Sequence, residues 1–160
     1  NALIDPDSKE ILGYEAVYLG DAAVEKHADV STLKIGKTLE AMGKGDRLIQ
    51  ASNQISGSYI PSVPDVQISA RIISIYAGVS QAGQHSIVTL NKGLRDGLQN
   101  GHVLALYRKG DVVKNAGEPI TLPDTRYGLA FVFRTFDKVS YALVMRTQLP
   151  VQLLDNALTP

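Results

Sequence analysis

The chain predicts an all-β protein: two related small β-barrel-like or sandwich halves packed together, with a β-hairpin near the C-terminus. Three observations carry this expectation. Apolar residues recur with the strand period of two far more often than with the helix period. Turn-forming residues punctuate the apolar runs every few positions. Between Leu90 and Tyr107, glycine recurs every four residues (Gly93, Gly97, Gly101), with Asn91, Arg95-Asp96 and Asn100 around it. Lacking a Cβ, glycine enters left-handed backbone at little steric cost, so this stretch reads as a compact multi-turn connection between two strands. Its structural turn residues are Asn91, Gly93, Asp96, Gly97 and Gly101.

Taken in order, Asp5-Pro6-Asp7-Ser8 lies between Leu3-Ile4 and Ile11-Leu12 and predicts a hairpin turn. Short strands are expected at Tyr14–Leu19, Leu33–Ile35, Arg47–Ile49, Val66–Tyr76 and Ser86–Leu90. Val103–Tyr107 closes the glycine connection. In the loop Lys109–Arg126, Val112-Val113 and Ile120-Thr121-Leu122 are expected to pair as small strands. Leu129–Arg134 and Ser140–Met145 flank Asp137-Lys138 as the C-terminal hairpin. Helix is hard to place. Leu39–Met42 offers at most one turn, and Gln148–Leu158 is short and interrupted by Pro150.

A weak internal repeat supports the two halves. Each half reads long strand, polar loop, short strand, glycine turn and closing strand, with Gly45 and Gly101 at the same place in the pattern. The segment around Gly57, Pro61 and Pro64 has the composition of a linker. The expected division is therefore a first β module at 1–52, a linker at 53–66, and a second β module at 67–160 carrying the C-terminal hairpin.

Composition narrows the function classes. At 160 residues, roughly 70% of the unfolded surface can be buried, so a real core needs no staples. Sixteen basic and sixteen acidic residues cancel and are scattered, which argues against a nucleic-acid partner. Cysteine is absent, which removes disulfides, thiol catalysis and thiolate metal sites. No apolar run approaches the ~20 residues of a membrane-spanning helix. The chain opens on Asn1 without a basic-then-apolar leader, and a processed product or excised domain is expected.

Chemistry-bearing constellations do not assemble in the sequence. His27, His85 and His102 lack the spacing of a zinc site. Ser56-Gly57-Ser58 falls in the linker without the strand-to-helix setting of a nucleophile elbow. The glycine series lacks the Gly-Lys-Ser/Thr ending of a phosphate loop. Glu15, read inside a strand, is the one acid to weigh for a catalytic role, and a solvent-facing strand acid is the commoner case. No catalytic residue, metal ligand or cofactor is expected, and the chain is not expected to be an enzyme. Seven tyrosines and no tryptophan leave aromatic contact as the remaining handle. Tyr59, Tyr76 and Tyr107 are the candidates for contact with a glycan or protein partner.

Three passages carry a resemblance: Asp5–Asp7 through Leu12–Asp21; Arg71–Tyr76 through Leu90–Ala105; and Phe131–Met145. Together they resemble the C-terminal region of proteobacterial envelope proteins that carry an N-terminal LysM (lysin motif) peptidoglycan-binding module. Phe131–Met145 is the most specific part. Turns similar to the glycine series occur in the C-terminal domain of flagellar assembly protein T and in the β domain of rod-shape-determining protein C. The resemblance implies a periplasmic or cell-envelope location and an accessory, scaffolding role without known catalysis. It implies peptidoglycan as partner through an upstream module, and leaves room for an envelope protein partner. The module itself is not found here: Gly45-Asp46-Arg47-Leu48 only faintly matches its start, and no helices follow. No ligand residue is carried over. Direct carbohydrate binding by this region is the alternative, with a wall hydrolase behind it.

Overall fold

Strand accounts for 49% of the described residues and helix for 3%, so the protein is all-β as its periodicity predicts. The computed structural model describes residues 1–51, 59–76, 80–115 and 118–160. It divides into two units, one of Asn1–Tyr14 with Gly57–Pro160 and one of Glu15–Ser56.

In the larger unit, β1 (Ala2–Ile4) and β2 (Ile11–Tyr14) form the predicted N-terminal hairpin. Its turn is built by Asp5, whose Oδ1 accepts from the amides of Asp7 (2.8 Å) and Ser8 (2.9 Å). This is the local side-chain turn that aspartate favours. The smaller unit carries β3 (Gly20–Lys26) paired with β4 (Thr32–Thr38).

The rest of the larger unit is a closed barrel with two short two-stranded sheets attached. Its elements are β5 (Ser69–Ile75), β6 (Gln81–Ala82), β7 (Ile87–Leu90), β8 (Val103–Arg108), β9 (Val112–Asn115), β10 (Glu118–Thr121), β11 (Thr125–Thr135), β12 (Ser140–Thr147), β13 (Val151–Gln152) and β14 (Asn156–Leu158). Around the barrel the order is β11-β12-β7-β5-β14-β8, closing back on β11. All six contacts are antiparallel.

The period-two pattern explains the core. Alternate residues point inward: Ala70 and Ile72 on β5, Val88 and Leu90 on β7, Leu104 and Leu106 on β8, Ala130 and Val132 on β11, Ala142 and Val144 on β12, and Ala157 on β14. Four alanines among these fit a narrow six-stranded interior, where small and large side chains must share space. Leu98 from the glycine connection, Val151 and Tyr127 join the same cluster. A second, smaller cluster of Leu3, Leu12 and Val139, with Ile73 against it, seats the N-terminal hairpin.

Several expectations meet a different outcome. No strand covers Tyr14–Leu19: β2 ends at Tyr14, and β3 begins at Gly20 in a stretch whose sequence is polar. Leu19 instead caps the β3–β4 ribbon, its carbonyl accepting from the amides of Leu39 (2.8 Å) and Glu40 (3.2 Å). Glu15 therefore lies outside any strand. Arg47–Ile49 is not a strand either, because no partner strand among the described residues lies alongside to complete a ladder. Gln148–Leu158 supplies β13 and β14 rather than any helical turn. The pairing of Val112-Val113 with Ile120-Thr121 forms as expected, as β9–β10. Of the expected linker 53–66, residues 53–58 lie outside those described. The remainder is tied to the barrel: Ser62 N donates to Gly101 O (3.0 Å) and Val103 N donates to Ser62 O (2.8 Å).

Candidate functional site

Two polar junctions in the larger unit tie together residues far apart in the chain, and the glycine connection organises the first. Gly93 starts a single 3-10 turn, Leu94–Asp96, which lies against the β11–β12 turn. Leu94 N donates to Phe136 O (2.8 Å) and Arg95 N to Asp137 O (3.1 Å). A Cβ on Gly93 would meet Phe136 O at 2.3 Å, so close backbone approach, not turn geometry, demands glycine there. Gly97 (φ 90°) and Gly101 (φ 100°) are the left-handed residues. Asp96 Oδ2 accepts from Gly93 N (3.1 Å), and its Oδ1 accepts from Lys92 Nζ (3.0 Å).

Asn91 is buried and joins three elements. Its Oδ1 accepts from Arg71 N on β5 (2.6 Å), while its Nδ2 donates to Asp5 Oδ2 in the N-terminal turn (2.9 Å). The amide of Ser8, opposed by burial and helped by Asp7 and Asn91, holds the Asp5 carboxyl below its usual range. Beside it, Glu10 accepts from Arg95 (3.1 and 3.3 Å) and from Lys138 (2.6 Å). Arg95 first, then Lys138, pulls the Glu10 pKa down to about 2. Asp7 pairs with Arg71 at 3.2 Å. Together these contacts hold the N-terminal hairpin on the barrel.

The second junction centres on Asp155, which is only 5% exposed. It accepts from Arg108 Nε and Nη2 (both 2.9 Å), from the Tyr127 hydroxyl (2.7 Å) and from Gln152 N (2.9 Å). Arg108 also donates to Pro150 O (2.5 Å) and lies 5.3 Å from the Tyr127 ring centroid. Burial, with the carboxylate second, pushes the Tyr127 hydroxyl pKa well up, so it stays a donor. The Asp155 carboxylate thus accepts four hydrogen bonds from three residues, the arrangement of a structural keystone. Neither Asp155 nor Tyr127 carries a local sequence signal, since their partners are set by the barrel's closure.

The aromatic candidates are not brought together. Tyr59 is 40% exposed beside the glycine connection, its hydroxyl accepting from Asn100 Nδ2 (3.3 Å). Asn100 Oδ1 in turn accepts from Thr135 Oγ1 (2.6 Å). Tyr107 sits near the other end of β8, half-buried and in register with Asn156 and Arg126. Tyr76, 55% exposed, follows β5. None of the three lines the shallow groove of about 450 Å³ formed by Gln81–Gly83 and Thr147–Pro150. His102 is buried at the start of β8, its Nδ1 accepting from Gln99 N (3.1 Å). His27 and His85 are exposed.

Among the described residues, every buried side-chain nitrogen or oxygen has a hydrogen-bond partner. Among them, too, no three His, Asp or Glu side chains gather as a metal ion would need. No helix among them is long and apolar enough to cross a membrane. No protein-family model matches the chain, and no curated protein matches it.

Proposed function

We propose that this chain is a non-enzymatic accessory domain of a bacterial cell-envelope protein, scaffolding or making protein contacts while a separate LysM module holds peptidoglycan. The observation that carries the non-enzymatic part is the use made of its buried acids. Asp155 and Asp5 are each engaged by three or more donors that tie separate elements together. A carboxylate committed to structural donors in this way is poorly placed to exchange a proton with a substrate. The envelope setting rests on the resemblance of Asp5–Asp21, Arg71–Ala105 and Phe131–Met145.

Co-sedimentation with purified peptidoglycan tests the division of labour. The chain alone is expected to stay in the supernatant and to release nothing soluble from labelled sacculi. Retention lost on Tyr59→Ala or Tyr76→Ala would instead establish direct glycan binding, the reading favoured by the exposure of those two rings. Release of soluble fragments that depended on Glu15 or a histidine would make it a hydrolase.

A further inference from the structure

Not one described residue of the smaller unit, Glu15 to Ala51, is buried. Its only regular structure among described residues is the two-stranded β3–β4 ribbon, and two strands alone are marginal in water. Side chains alternate across the ribbon. Ala22 lies opposite Ile35 and Val24 opposite Leu33, which puts those four on one face. Val24 is 47% and Ile35 55% exposed. Among the described residues, no further strand pairs with either outer edge, so both present open backbone groups.

The two edges differ in charge. β3 carries Asp21 and Glu25 with Lys26, whereas β4 carries Lys34 and Lys37 and no acid. Two β3 edges paired about Ala23 would set Asp21 against Glu25, and two β4 edges would bring four lysines together. A β4 edge against a β3 edge has neither defect. The antiparallel register that places Lys34 opposite Glu25 also places Ile35 opposite Val24, so charge and apolar matching coincide.

We propose that this chain self-associates through the ribbon, β4 of one copy adding to β3 of the next. The pairing turns a two-stranded ribbon into a sheet of four or more strands with a continuous apolar face, past the three strands that independent stability requires. Because unlike edges meet, the contact is heterologous and propagates beyond a dimer unless it closes into a ring. The inference does not depend on the proposed envelope role.

Sedimentation velocity of the whole chain over a concentration series tests it. The weight-average mass should rise with concentration past that of a dimer. Lys34→Glu alone and Glu25→Lys alone should each stay monomeric. An equimolar mixture of the two single variants should assemble again, since each then meets an opposite charge on its neighbour. The double swap on one chain, which restores the pairing between copies, should assemble like the parent. A parent chain that remains monomeric throughout, single variants that assemble as it does, or a mixture and a double swap that both stay monomeric would overturn the proposal.

Discussion

Leu104 and Val24 are both aliphatic residues in the interior of antiparallel strands, yet Leu104 is 0% exposed and Val24 47%. Both lie in antiparallel ladders. Closure differs. In the barrel each strand has a neighbour on both sides and an inner face that meets five others, so the alternation of Leu104 and Leu106 becomes a core. In the ribbon each strand has one neighbour, and the same alternation leaves Val24 and Ile35 facing water. Hydrogen-bonded strands are therefore not sufficient for a folded unit; burying one face is what stabilises it.

The sharpest way to break this comparison is to remove the barrel's keystone. Asp155→Ala leaves the Tyr127 hydroxyl and the Gln152 amide without their acceptor and strips Arg108 of two hydrogen bonds, and should cost about 3–5 kcal/mol in denaturant unfolding followed by circular dichroism. Leu104→Ala should cost about 2–5 kcal/mol in the same assay. Val24→Ala, its counterpart in the ribbon, should shift that transition by no more than about 0.5 kcal/mol.

Glycine offers a second paired test. Gly93→Ala forces a Cβ toward Phe136 O at 2.3 Å and should cost about 1–3 kcal/mol of barrel stability. Gly45 has a left-handed φ of 105°, but a Cβ there would meet nothing within 4 Å. Gly45→Ala should strain its own turn and leave the barrel transition in place.

The smallest effect expected is one of pH. Glu10 titrates near 4.5 when unfolded and at about 2 when held by Arg95 and Lys138. Its folded pKa is the lower one, so its contribution is complete above about pH 5 and fades as pH falls toward 2. Glu10→Gln should flatten that part of the stability–pH curve. A variant with the parent's acid dependence would show that the hairpin clasp contributes nothing there.

Much of the barrel is legible because its long strands alternate against two environments. Leu129–Arg134 and Ser140–Met145 read as a hairpin for that reason, and Asp5-Pro6-Asp7-Ser8 reads as a turn from side-chain chemistry alone. The illegible parts have physical causes. β14 turns a single residue, Ala157, into the core, too little to register as periodicity. β3 is exposed on both faces, so Asp21, Glu25 and Lys26 read as loop, while Leu33–Ile35 of β4 reads as strand. The polar junctions join residues far apart in the chain: Asn91 bonds Asp5 across 86 positions, and Arg108 meets Asp155 across 47. Spacing cannot announce such pairs. What the sequence does show of Asn91, Gly93, Asp96, Gly97 and Gly101 is that they turn; that Asn91 also bridges β5 to the N-terminal hairpin appears only in the folded chain.

Amide hydrogen exchange on the dilute chain measures the central contrast directly. Amides of β5, β7, β8, β11, β12 and β14 should share one high protection set by global unfolding, while those of β3 and β4 exchange close to the rate of an unstructured peptide. Equal protection in the ribbon and the barrel at that dilution would contradict the account, because it would require a core in Glu15–Ser56 that none of the described residues there supplies.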